Sequence, residues 1–417
     1  MNNRPGPRST PVIRPFTPAE WPAWVELDQE AFVEDTWTER TDRFEALMEF
    51  DRTLGAFDGD RMIGSAAGYS LSMTVPGGPR PVCGVTAVSV APDHRRRGIL
   101  TALMRRQLDD LREGGEAVAV LYAAEAGIYR RFGYGRAADA VTFDIPKRGA
   151  ALLPNAPADP SLRLHVVRPA AVRDELVKLF DAVRPGRPGL YARTPARWDH
   201  VLADEEPRRQ GYTTLRCVLA EDDAGVRGYA LFRFRPGVTA HDLPDGELSL
   251  RELFAMDPAA YALLWRHLLE RDLCAVVRAS SRPVDDPIIH LLADPRLLTP
   301  GLMDELWVRL VDVGRALPDR AYSAPVDVVI EVTDPFCPWN EGRWRLSADG
   351  SGAVCARTGD PADLRLPVDA LGAAYLGGRS LGEYQTAGLL EESRPGAVRA
   401  LSAALSWPVR PWGGLVF

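Results

Sequence analysis

The stretch Val88-Ser89-Val90-Ala91-Pro92-Asp93-His94-Arg95-Arg96-Arg97-Gly98-Ile99-Leu100 decides the fold. A β-branched run ends at Ala91-Pro92, arginines and a glycine follow, and helical periodicity begins at Ile99. The first N–H groups of a helix lack partners and carry a partial positive charge, so a strand feeding this turn builds an anion site. Gly98 lets a ligand approach the backbone closely. No GK[ST] follows, so this is not a Walker loop, and the GxGxxG dinucleotide fingerprint is missing. Working outward, Cys83–Val90 reads as the strand and Ile99–Glu113 as the helix, which Gly114-Gly115 ends. Ala117–Ala123 is an apolar run with the character of a buried strand.

Arg95-Arg96-Arg97-Gly98-Ile99-Leu100 resembles the pyrophosphate-binding signature [RQ]-x-x-[GA]-x-[GA] of the GNAT N-acetyltransferase superfamily, with Leu100 in place of the last small residue. A second stretch, Leu121-Tyr122-Ala123-Ala124-Glu125-Ala126-Gly127-Ile128-Tyr129-Arg130-Arg131-Phe132-Gly133-Tyr134-Gly135, reads as a strand end followed by a short helix over Glu125–Phe132. It carries Tyr129 where GNAT enzymes commonly keep a tyrosine near the sulfur of coenzyme A. Tyr134, flanked by glycines, reads as a turn residue.

Taken together, VAP-x-HRRRG-[IL]-L and GIY-x-RFGYG resemble the Eis (enhanced intracellular survival) family. Trp21-Pro22, Thr74-Val75-Pro76-Gly77, Leu306-Trp307-Val308-Arg309, Ala374-Tyr375-Leu376-Gly377-Gly378 and the terminal Phe417 extend the match along the chain. The resemblance implies an α/β fold of mixed sheets: tandem GNAT domains followed by a sterol-carrier-protein-like α+β domain. The expected limits are a disordered tail at 1–11, an N-terminal acetyltransferase domain at 12–153, a degenerate GNAT domain at 154–310 and the last domain at 311–417. It further implies one acetyl-CoA per chain, a homohexamer, and transfer of acetyl to amines of a cationic, aminoglycoside-like substrate at one or several sites. The alternatives are a protein lysine or polyamine acetyltransferase, or a non-catalytic protein that binds acetyl-CoA or lipid. By the same resemblance, Tyr129 is the general acid and the main-chain carboxylate of Phe417 the base. Val88, Ser89 and Val90 meet the pantetheine arm. Arg96, Arg97, Gly98, Ile99, Leu100 and Thr101 hold the pyrophosphate, and Ala124 and Glu125 complete the cofactor site. Glu34 is the candidate substrate-facing acid. Family members can carry an acid before the final Phe, where this chain has Val416.

The rest of the chain is consistent with this order. Thr17-Pro18-Ala19-Glu20 signals a helix start, and helices are expected at Trp21–Phe32 and about 42–50. Strands follow at Thr53–Phe57 and Met62–Thr74, with Ala137–Ile145 closing the first domain. After the Pro154–Pro160 linker, a weak echo of the same order ends at Met256-Asp257-Pro258-Ala259-Ala260, which lacks the arginines and glycine an anion turn needs. The last residues, Trp412-Gly413-Gly414-Leu415-Val416-Phe417, are apolar and read as docked rather than frayed.

Composition sets the bounds. The 417 residues are 46% hydrophobic and 26% charged, which rules out a disordered or collagen-like chain. Net charge is −7, against generic nucleic-acid binding and compatible with a cationic substrate. No apolar run reaches the ~18–20 residues that cross a bilayer, and the N-terminus lacks a signal-peptide core. The cysteines are far apart with no CxxC, and the histidines are dispersed, so neither disulfides nor a metal site are expected. These features point to a cytoplasmic protein without a membrane partner.

Overall fold

The computed structural model describes residues 11–34 and 38–417; the expected tail, apart from residue 11, lies outside them. Among the described residues the chain forms three sheets. The first runs, edge to edge, Val12–Arg14, Thr53–Asp58, Arg61–Val75, Gly78–Val90, Val118–Tyr122, Leu306–Leu310, Gly135–Arg136. The second runs Thr299–Asp304, Asp139–Pro146, Cys274–Pro283, Gly246–Ala255, Gly225–Arg235, Arg216–Asp222, Arg163–Val167. The third holds Gly352–Arg357, Gly342–Asp349, Val326–Thr333, Leu364–Pro367 and Glu391–Glu392. This is the expected α/β architecture of two similar mixed-sheet layers and a smaller α+β unit.

Two strands are exchanged between the first two sheets. Asp139–Pro146, expected to close the first sheet, pairs instead with Cys274–Pro283 and Thr299–Asp304 in the second. Leu306–Leu310 takes the vacated place, antiparallel to Val118–Tyr122 and to Gly135–Arg136. Alternation of apolar residues makes a segment a strand but does not say which sheet it joins. No single cut of the chain near residue 153 therefore separates the two sheets.

Local chemistry explains the elements around the site. Thr17 donates its N–H (2.9 Å) and hydroxyl (3.1 Å) to Glu20, which opens a 3-10 turn at Pro18–Glu20 and then the helix Trp21–Phe32. The helix Ile99–Glu113 buries Ile99, Leu103, Met104, Leu108 and Leu111 at helical spacing against the first sheet. Its buried Gln107 amide donates to the Ala67 carbonyl (3.0 Å). The expected helix at Glu125–Phe132 is shorter: only Tyr129–Phe132 forms a 3-10 turn, and Gly133 stops it at φ +83°. The second N-terminal helix spans Thr38–Leu47 rather than 42–50. One continuous core joins the first sheet to the C-terminal unit, with Tyr69, Val120 and Val308 packed in the same cluster as Val328, Leu371 and Leu401.

Candidate active site

Two neighbouring parallel strands of the first sheet part company. Gly78–Val90 and Val118–Tyr122 pair only at Cys83↔Ala119 and Gly84↔Val120. Beyond Gly84 the first strand bends away at a β-bulge, where Ala87 and Val88 face the single residue Ala66. Ala87 takes φ +52°, and its carbonyl accepts the Ser65 hydroxyl at 2.7 Å. The bulge thus leaves one edge of Val88, Ser89 and Val90 without a ladder partner from Val118–Tyr122, which is where an extended ligand arm can hydrogen-bond.

The anion turn lies at the end of this strand. Arg96 (φ +61°) and Gly98 (φ +82°) turn the chain into the helix, and a Cβ on Gly98 would meet nothing within 4 Å. The first intrahelical bond runs from Ala102 N–H to Gly98 O (2.9 Å), so the N–H groups of Ile99, Leu100 and Thr101 have no partner in the helix. Arg97 braces the turn by donating to Asp93 O (2.6 Å), while Arg95 reaches Ala31 O (3.1 Å) at the end of the first helix. Arg96, Arg97 and Gly98 are exposed. An open helix end with two exposed guanidinium groups is what a pyrophosphate requires.

Alternation along Val118–Tyr122 divides the site between two faces. Ala119 and Leu121 pack with Tyr129, under the helix Ile99–Glu113. Val120 and Tyr122 pack on the other side, with Tyr69, Leu71 and Phe417. Burial, and then the charge of Glu125, pushes the Tyr129 hydroxyl up to about 12, so it keeps its proton. Ala124 and Glu125 lie exposed in the loop between that strand and Tyr129. Tyr134 is fully buried against Tyr129 (5.9 Å between rings), a core aromatic rather than a turn residue.

The chain end reaches this second face. A Cβ on Gly84, the last residue before the strands part, would stand 3.0 Å from the Phe417 ring. Tyr122, Tyr191 and Tyr69 surround that ring edge-on at 5.0, 5.6 and 6.4 Å. Phe417 also lines a cavity of about 200 Å³ with Trp24, Asp28, Phe32, Arg40, Phe44, Tyr69, Ala87 and Val88. Asp28 was not among the candidate residues. It accepts the Ser89 hydroxyl at 3.0 Å, and burial raises its pKa against that bond and the charge of Arg40. Its sequence signal is its position: a carboxylate four residues after Trp24, beside the buried stripe of Trp21, Trp24 and Leu27. Glu34 does not line the cavity; it sits at the surface, paired with Arg40 at 2.9 Å.

The second sheet has the corresponding parts in altered form. At the helix Pro258–Leu269 the Asp257 carboxylate itself accepts the N–H groups of Ala259 (2.9 Å) and Ala260 (3.0 Å). Asp257 thus takes up helix-start N–H groups of the kind the first unit leaves without a partner in its helix. The strands Gly246–Ala255 and Cys274–Pro283 also stop pairing, after Leu250↔Ala279, but Arg282 bridges the gap toward Leu253 O (3.5 Å) and pairs with Asp286 (2.7 Å), all of it buried.

A splayed parallel pair over a bulge, opening beside an anion-binding helix start, defines the chain as a GNAT-type N-acetyltransferase. Residues 12–137 and 189–310 each match the acetyltransferase (GNAT) domain family, and residues 313–414 match the sterol carrier protein domain family. The chain belongs to the Eis family of GNAT N-acetyltransferases. N-acetyltransferase Eis of Mycobacterium tuberculosis is 32% identical over 94% of this chain and 95% of its own length. A protein named as an uncharacterized N-acetyltransferase of Streptomyces avermitilis is 46% identical over 97% and 98%. The crystal structure of Eis1 from Mycobacterium abscessus superposes with a TM-score of 0.83 at 37% identity, covering 97% of this chain and all of that one. A GCN5-related N-acetyltransferase from Anabaena variabilis shares the fold at TM-score 0.84 and 21% identity. GNAT acetyltransferases use acetyl-CoA as cosubstrate. Among the described residues no helix is long and apolar enough to cross a membrane.

Proposed function

We propose that the chain acetylates amines of a small cationic acceptor, aminoglycoside-like and open to modification at more than one amine. The observation that carries this reading is the seat of Phe417: its ring lines the cavity and stands against Gly84, where the two strands part. Asp28 in the same cavity supplies a negative charge for a cationic acceptor.

In this reading Val88, Ser89 and Val90 offer backbone groups to the pantetheine arm. Arg96, Arg97, Gly98, Ile99, Leu100 and Thr101 hold the pyrophosphate, with Ala124 and Glu125 on the far side of the cleft. Bound acetyl-CoA supplies an activated acyl carbon. The terminal carboxylate of Phe417 takes the proton of the attacking amine, on the cavity side of the sheet. The Tyr129 hydroxyl, protonated because it is buried, donates to the departing sulfur on the other side. Asp28 takes the role expected of Glu34. Catalysis belongs to the first GNAT unit alone, and the assembly is a cytoplasmic homohexamer. Release of free thiol from acetyl-CoA, followed with aminoglycosides, polyamines and lysine peptides as acceptors, tests the substrate class. Preference for a lysine peptide over every small polycation would overturn it.

A further inference from the structure

We propose that Glu305 is a positioning residue for the chain end, and that the second GNAT-like unit serves as the seat that delivers Phe417 to the first. Glu305 lies between Thr299–Asp304 and Leu306–Leu310, at the point where the chain crosses from the second sheet to the first. Its carboxyl group is buried, and its two oxygens accept the consecutive N–H groups of Gly413 (3.0 Å) and Gly414 (3.1 Å).

The remaining polar anchors of the tail come from the same half of the molecule. Trp412 N–H donates to Pro188 O (2.8 Å), and its indole N–H donates to Ser281 O (2.9 Å). The Ser281 hydroxyl donates to Gly414 O (3.3 Å), and the Tyr191 hydroxyl to Leu415 O (2.9 Å). The Trp412 ring packs on Phe254 (5.6 Å) and lies under the Arg282 guanidinium (5.2 Å). It therefore covers the place where the second sheet's strands stop pairing, the counterpart of the open cleft in the first sheet. The first sheet contributes ring contacts to Phe417 and the close passage of Gly413 over the Tyr122 hydroxyl, where a Cβ would overlap it. An aromatic ring resting on aromatic rings can rotate and slide. Two N–H groups fixed four and three residues before the terminus set where its carboxylate points. A carboxyl group with two acceptor oxygens is suited to a pair of adjacent N–H donors.

The inference rests on the reading of Phe417 as the base, and its test separates the two. Carboxypeptidase A is added to the full-length native protein, and release of free phenylalanine is followed beside kcat and acetyl-CoA affinity. Wild type should resist. Glu305→Ala should release Phe417 at least tenfold faster and lose kcat, with acetyl-CoA affinity unchanged. Glu305→Gln, whose amide oxygen still accepts one N–H, should restore most of both. If Glu305→Ala folds poorly, Glu305→Asp, which withdraws the carboxyl by one methylene, should give the same acceleration. Unchanged release in the folded variants, or rapid release from wild type, overturns the positioning role. Faster release with undiminished kcat upholds Glu305 as the tail's clamp and removes Phe417 from the chemistry.

Discussion

Phe417 meets Tyr122 edge to face with 5.0 Å between ring centroids. The two residues are 295 positions apart by their numbers, yet Tyr122 ends the strand whose other face packs on Tyr129. That contact sets the chain terminus on one side of the strand cleft and the buried phenol on the other. In the proposed mechanism this contact puts the base and the acid on opposite sides of the thioester, a geometry that two adjacent residues could not supply.

Replacing Arg96 and Arg97 together by Ala should weaken acetyl-CoA binding while leaving the fold intact. Charged hydrogen bonds contribute ~1.5–3 kcal/mol each, and at an exposed turn the lower end applies, so losing two should weaken binding about a hundredfold. Titration calorimetry measures it; equal affinity in the double variant would remove this turn from the site.

Tyr129→Phe deletes one hydroxyl and keeps the ring. Turnover should fall by ~10²–10⁴-fold, the usual span of general acid–base catalysis, with acetyl-CoA affinity little changed. Because burial raises this hydroxyl from 10.0 to about 12, its proton stays in place where an ordinary phenol would be half ionised. The wild-type kcat should therefore show no decline attributable to this group up to about pH 10. A near wild-type kcat in the variant would make Tyr129 a packing residue.

A C-terminal tag should abolish activity, and an N-terminal tag should not. The tag turns the Phe417 carboxylate into a neutral amide and drives extra residues into a cavity of about 200 Å³. Displacing a catalytic group by ~1 Å already costs ~10²-fold. Matched circular dichroism of the two forms controls for folding. Equal rates would send the search for a base to Asp28 or an ordered water.

Asp28→Asn should raise KM for a cationic acceptor by about tenfold, as expected for loss of one charged hydrogen bond. Glu34→Gln should move KM less, since Glu34 lies outside the cavity and faces Arg40. Steady-state kinetics with a polyamine distinguish them; a larger effect at Glu34 would reverse the assignment.

Stability should depend on pH through Glu305. Burial raises its carboxyl from 4.5 to about 8, helped by the charge of Asp139 and opposed by the N–H groups of Gly413 and Gly414. The folded chain therefore holds a proton that the unfolded chain releases in this range. The stability involved is whole below about pH 4.5 and is lost as the pH rises through about 8, on the order of a few kcal/mol. Glu305→Gln cannot ionise, so its Tm should gain on wild type from about pH 5 to about pH 9. A constant difference across that range would contradict the shift.

What was legible in the sequence was local. The strand, arginine turn and helix from Val88 to Glu113 announce themselves through β-branching, glycine and helical spacing, because backbone geometry and an unsatisfied helix end depend on neighbours in the chain. The absence of arginines and glycine at Met256–Ala260 is matched in the structure by Asp257, whose carboxylate caps its own helix. Tertiary structure alone decided which sheet received Asp139–Pro146 and which received Leu306–Leu310, since alternation is the same whichever partner a strand finds. It also decided that Asp28 rather than Glu34 faces the cavity, because facing depends on what packs across the helix. The seat of the chain end was settled in the same way. Glu305 carries no motif: its burial and its two glycine N–H partners exist only once residues more than a hundred positions apart have met.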